Sequence, residues 1–97
     1  METLKIKKEA VAGTVESNDI LITIGKGSGI NIDLQSSVKK QFGRQIENAI
    51  KETLEELNIT DVNVKAIDKG ALDYVIKART KTCIYRACKV ENYEWSE

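Results

Sequence analysis

Histidine and proline are both absent from the 97 residues, and there are only two cysteines, one tryptophan, one phenylalanine and three tyrosines. Each shortage excludes something. Without histidine the chain lacks the side chain best suited to general acid–base work near neutral pH. Histidine-containing zinc sites and Ser-His or Cys-His nucleophile pairs go with it. Without proline there is no Pro-rich linker. Fifteen basic and fifteen acidic side chains leave a formal net charge of zero, so the basic excess of a nucleic-acid binder is missing. Balanced charge gives little colloidal repulsion, which suits a subunit living inside a complex. No apolar run of about 18 residues is present, as a membrane span requires, and no signal-peptide pattern is found. The expectation is a cytoplasmic chain with reduced thiols, no metal, no membrane and no nucleic-acid partner. Cys83 and Cys88 do not form a C-x-x-C pair. They read as two ordinary small thiols, since a bridge across one and a half helical turns would constrain little.

The length fits one domain, expected over residues 1–90, with residues 91–97 as an acidic tail carrying Tyr93 and Trp95. Residues 3–9 alternate weakly and could form a ragged lead-in strand. Residues 10–16, "AVAGTVE", and 19–24, "DILITI", read as two strands. Gly13 inside the first suggests a close backbone approach or a bulge. Only Ser17-Asn18 separates them, so a tight hairpin is expected, with Asn18 tolerating the positive φ of such a turn. "GKGSG", residues 25–29, leads into a third alternating strand over 30–35, which a second hairpin would place beside the second. From Ser36 to Leu57 the apolar residues Val38, Phe42, Ile46, Ala49, Ile50, Leu54 and Leu57 make one helical stripe. Ser36 or Ser37 is the natural N-cap, Gly43 marks a close packing point, and Asn58 is a plausible C-cap. Residues 61–68 alternate as a fourth strand. Asp68 could then cap a second helix from about Ala71, with Leu72, Val75, Ile76, Arg79, Cys83 and Ala87 at helical spacing. The fold class is α+β: an antiparallel β-meander with two helices packed on one face, in the order β-β-β-α-β-α.

Chemistry-bearing motifs are scarce. "GKGSG" fails both phosphate-loop patterns on spacing and leads into a strand, not a helix. Asp19, Asp33, Asp61, Asp68 and Asp73 fall mostly at caps and turns, where short acids belong. Ser17 remains. As a nucleophile it lacks a recognisable base, and a turn residue is its plain reading. Yet a hydroxyl at a hairpin tip can enter another protein's active site, as a modifying enzyme requires. Glu16 and Asp19 would repel a free phosphate, but could steer the tip into a basic pocket on a partner.

Three stretches are similar to a known family. "AVAGTVESND" resembles the N-terminal signature of the citrate lyase acyl carrier protein (gamma subunit) family. "SSVKKQFG" (residues 36–43) and "DKGALDYVIKAR" (residues 68–79) continue the resemblance in order and approximate spacing over nearly the whole chain. The resemblance implies a non-catalytic carrier. Ser17 would bear phosphoribosyl-dephospho-coenzyme A through a phosphodiester, attached by a separate prosthetic-group transferase, with Glu16, Asn18 and Asp19 as flanking recognition residues. The thiol of that group would hold the acetyl and citryl thioesters while the citrate lyase alpha and beta subunits convert citrate to acetate and oxaloacetate. Many members have glycine where this chain has Asn18, and both tolerate positive φ. Two alternatives are a carrier subunit of malonate decarboxylase, which bears the same kind of group, and a non-catalytic interaction module in which Ser17 is only a turn. RNA binding is disfavoured by the neutral charge.

Overall fold

The computed structural model describes residues 5–88. Strands β1 (Ala10–Gly13), β2 (Ile20–Gly25) and β3 (Ile30–Ser36) precede helix α1 (Lys39–Glu56). Strand β4 (Val62–Asp68) and helix α2 (Asp73–Ala87) follow. The α+β class and the expected order hold. The α2 segment is one continuous helix, although its β-branched residues also suit a strand. The acidic tail with Tyr93 and Trp95 lies outside the described residues.

The sheet is mixed, not a pure meander. Its order is β1-β2-β4-β3. β1 pairs antiparallel with β2, β2 antiparallel with β4, and β3 parallel with β4. No second hairpin forms, because β4 takes the place beside β2. Composition explains the choice. The inward residues of β4 (Val62, Val64, Ala66 and Asp68) are all buried, which suits a central strand. β3 carries Asn31, Asp33 and Gln35, all exposed, and polar or charged residues suit an edge. A parallel pair needs a crossover connection, and α1 supplies it. Both helices cover the face that buries Ala10, Ala12, Ile20, Ile22, Ile24, Val62 and Val64.

Local rules account for most boundaries. α1 ends in a Schellman motif: Asn58 N–H donates to Glu55 O at 3.0 Å and Ile59 N–H to Leu54 O at 2.9 Å. Asn58 sits at φ 59°, as its expected capping role requires, and Ile59 is buried beyond it. The N-terminus of α1 differs from expectation. Ser36 closes β3, and the N-cap position falls to Val38, which makes no side-chain cap. Ser36 Oγ instead accepts from Val38 N–H at 3.1 Å. On the expected α1 stripe Ile46, Ala49, Ile50 and Leu54 are buried, but Phe42 remains 47% exposed. In α2, Thr80 and Ile84 take the buried face where Leu72 and Arg79 were expected. Thr80 is tolerated there because its hydroxyl donates to Ile76 O at 2.7 Å. Residues 5–9 form no strand; Lys7 and Lys8 N–H both donate to Ala87 O, at 2.9 and 3.1 Å, satisfying the end of α2.

β1 stops at Gly13, so the connection to β2 spans residues 14–19 and is not a two-residue turn. Gly13 has φ +96°, and a Cβ there would collide with the Ile20 carbonyl. The close approach read from the sequence is real, and it ends the strand three residues early. Gly13→Ala combines a backbone penalty of about 1–2 kcal/mol with that collision. We expect urea unfolding to show a loss of at least about 2 kcal/mol; an unchanged midpoint would contradict the assigned backbone.

Candidate functional site

The register puts three connections at one end of the sheet. Ile20 pairs with Asp68, and Asp68 with Ser36. The 14–19 loop, the entry to α1 and the β4–α2 connection are therefore neighbours. The three sequence blocks that resemble the carrier family meet here.

The tip is held by its backbone and by one carboxylate. Asn18 N–H donates to Lys69 O at 2.7 Å, and Lys69 N–H returns to Asp19 O at 2.9 Å. This reciprocal pair stitches the hairpin tip to the β4–α2 connection. Asn18 adopts φ 65°, as expected from its tolerance of the left-handed region. Arg79 grips the Asp19 carboxylate with a fork, Nε donating to Oδ1 at 3.0 Å and Nη2 to Oδ2 at 2.8 Å. Thr14 Oγ1 adds a bond to Oδ2 at 2.8 Å and Ile20 N–H one to Oδ1 at 2.7 Å. These charge-assisted bonds favour the ionised form. The Arg79 hydrogen bond contributes most, partly offset by desolvation, and Thr14 and Ile20 add to it; together they lower the Asp19 pKa from 3.8 to about 2.

A second carboxylate braces the other wall. Asp68 is buried and accepts from Ser36 Oγ (2.9 Å), Gly70 N–H (3.1 Å) and Ala71 N–H (3.0 Å). It was expected to cap α2; it orders the connection before the helix instead. α2 begins at Asp73, with Leu72 in an extended conformation at its N-cap.

Ser17 stands on this frame. It is exposed, and its hydroxyl has no hydrogen-bond partner among the described residues. Glu16 and Asn18 are exposed beside it, whereas the Asp19 carboxylate is turned inward to Arg79. Arg79, Thr14, Asp68 and Lys69 as supports of the tip were not legible from local sequence. The available signal was Arg79 itself, a cation on an otherwise apolar helical face, which calls for an acidic partner.

The remaining candidates do other work. The glycine-rich loop lies at the far end of the sheet, where Asn63 Nδ2 donates to Lys26 O at 3.0 Å and Gly29 N–H to Asp61 Oδ1 at 2.9 Å. Cys83 and Cys88 are buried free thiols. Desolvation raises both pKa values, that of Cys83 to about 12, so neither is a ready nucleophile. Among the described residues no cluster of acidic, histidine or cysteine side chains could hold a metal ion, and no helix is long and apolar enough to cross a membrane.

Comparison with known proteins gives this frame its class. The acyl carrier family model described as "Malonate decarboxylase delta subunit (MdcD)" matches residues 7–87. The citrate lyase acyl carrier protein of Streptococcus mutans serotype c is 51% identical over 96 residues, covering 97% of this chain and 94% of the relative. That of Oenococcus oeni is 57% identical over 90 residues, covering 92% and 93%. The chain belongs to the citrate lyase acyl carrier protein family. The fold is shared with a chain in the crystal structure of a Pseudomonas malonate decarboxylase hetero-tetramer in complex with malonate. The TM-score is 0.69 at 16% identity, over 88% of this chain and 89% of that one.

Because the folded pKa of Asp19 is depressed, its contribution to stability is complete above pH 3.8 and is lost as pH falls through about 2. We expect the Asp19 carboxyl carbon, followed by NMR, to titrate near 2 in the wild type. Arg79→Lys keeps a charge but loses the fork, so its midpoint should move up toward 3.8. An unmoved midpoint would contradict the bidentate arrangement.

Proposed function

We propose that this carrier serves citrate lyase, with Ser17 as the attachment point for phosphoribosyl-dephospho-coenzyme A through a phosphodiester. The observation carrying the reading is the hydroxyl itself: exposed and without a hydrogen-bond partner among the described residues, on a loop whose backbone is pinned to the body at Asn18 and Asp19, directly after it. The residues present fit such a group. A single primary alcohol can accept one phosphodiester, and exposed Glu16 disfavours a loosely held phosphate at the same place. When bound, the group supplies a thiol able to carry an acyl chain as a thioester. The protein's part is mechanical. Ser17 offers the bond, Arg79 and Lys69 hold the tip through Asp19 and Asn18, and Glu16 with the Asn18–Asp19 turn presents the recognition surface.

No side chain among the described residues hydrogen-bonds the Ser17 hydroxyl as a base would, which supports a separate transferase installing the group, and the chain would make and break no bonds of its own. The citrate lyase alpha and beta subunits would act on the arm. Tethering then gives them a local acyl concentration on the order of millimolar without any new contact. Residues 1–90 would form the carrier domain and 91–97 an acidic extension, in the cytoplasm. A malonate decarboxylase carrier is the second reading, favoured by the description of the matching family model. The identity of 51–57% to citrate lyase carriers weighs for the first.

Co-expression with the modifying enzymes, followed by intact-mass and peptide mapping, tests the site. The wild type should gain one nucleotide-containing group on Ser17. Ser17→Ala should gain none while keeping the same circular dichroism, since the lost hydroxyl makes no hydrogen bond among the described residues. Addition at Ser28, Ser36 or Ser37 would overturn the assignment of the site.

A further inference from the structure

Both helices pack on one face of the sheet, and no other described helix or strand lies over the opposite face. Strand alternation sets what that open face presents. In the row beside the 14–19 loop, Leu21 pairs with Ile67, and both are half-buried. Val11, one row along, is 46% exposed, and Val15 in the loop itself 52%. A sheet face turned to water ordinarily carries polar residues. Apolar residues there, bordered by polar ones, have the pattern of a contact surface.

Two residues further from the loop, or roughly 7 Å along the strands, the face turns basic. Lys65 stands in the next row between Thr23 and Asp33. It lines a hollow of about 480 Å³ together with Lys8 and Lys26, and Glu9 is the one acid in that lining. Lys26 also borders a neighbouring hollow with Lys5, where the acid, Asp61, already accepts from Gly29 N–H. The ion pairs among the described residues are Lys77–Glu52 and Arg79–Asp19, so none of these lysines is neutralised by a direct partner. Lysines outnumber acids at this end of the open face, although the whole chain is neutral.

We propose that the open sheet face docks a protein whose matching surface is apolar beside the tip and acidic further out. This rests on the carrier reading above, in which that protein is the alpha–beta assembly of citrate lyase. A protein that receives an arm hung on Ser17 must come close to residues 14–19, and the Leu21–Ile67 row begins there. Partner acids meet Lys8, Lys26 and Lys65 while the apolar row is taken out of water, the usual division between the rim and the centre of an interface. A small anion would use the lysines and leave Val11, Leu21 and Ile67 wet. The two together fit a protein surface.

Titration calorimetry of the unmodified full chain against the purified alpha–beta assembly, at about 0.05 M and about 0.5 M salt, tests this without an activity assay. The wild type should bind more weakly at high salt. Lys8→Glu/Lys26→Glu/Lys65→Glu should raise Kd by at least about tenfold at low salt and flatten the salt dependence. Lys40→Glu/Lys51→Glu/Lys81→Glu makes the same change in net charge at exposed helix positions and should keep Kd within about twofold. Val11→Thr/Ile67→Thr keeps β-branched residues in the strands and should weaken binding to the same degree at both salt concentrations. Circular dichroism checks the fold of each variant. A sheet-face reversal that binds like the wild type would overturn the docking face and leave the attachment at Ser17 standing. A helix reversal that weakens binding as much, or a threonine pair with unchanged Kd, would do the same. A wild-type chain with no affinity for the assembly overturns the citrate lyase reading and the docking face together.

Discussion

The grip of Arg79 on Asp19 is the interaction on which the functional end depends. A carrier has two opposed needs at its attachment point. If Ser17 is that point, as proposed, its hydroxyl must project far enough to enter other active sites, yet fixing each loop residue costs about 1–2 kcal/mol of backbone entropy. Here the six residues of the tip are ordered from behind. The carboxylate two positions after Ser17 takes a planar fork and two further donors, and the amide one position after it is tied to Lys69. None of these bonds uses the serine hydroxyl. Arg79 is 41% exposed and Asp19 14%. The pair is open enough to avoid the cost of full charge burial, and solvent screens it in part.

Topology makes that grip possible. With β4 inserted between β2 and β3, residues that follow β4 emerge directly beside the residues that precede β2. A meander would have put β3 there and left the β4–α2 connection a strand further away. The parallel β3–β4 pair also aligns Ser36 with Asp68, which lets one buried carboxylate organise both the entry to α1 and the turn before α2. The three stretches that resemble the carrier family therefore describe a single structural unit, although almost 70 residues separate their ends.

The sequence disclosed what local physics decides. Helical and alternating periodicities located all six elements, Asn58 announced the end of α1, Asn18 the left-handed turn, and Gly13 the backbone contact with Ile20. Strand partners were not legible, because β3 and β4 both alternate and a short glycine-rich loop is compatible with a hairpin. The difference lay in burial: outward Asn31, Asp33 and Gln35 suit an edge, while Val62, Val64 and Ala66 are enclosed. The tip was drawn too tight because "AVAGTVE" is uniformly strand-like except for the one residue whose φ ends the strand. Arg79 and Asp68 were assigned to a helix face and a helix cap, since an ion pair spanning 60 residues leaves no local trace. Phe42 fits the apolar stripe yet lies half outside the core.

The most direct test of the pinned tip is its backbone motion. Order parameters from ¹⁵N relaxation, measured for residues 14–19 in the unmodified chain, should approach those of β2, near about 0.85, with Asn18 the most restricted. They should fall in Arg79→Ala only within this loop. Values below about 0.6 in the wild-type loop, or no change on removing Arg79, would contradict a rigid presentation of Ser17.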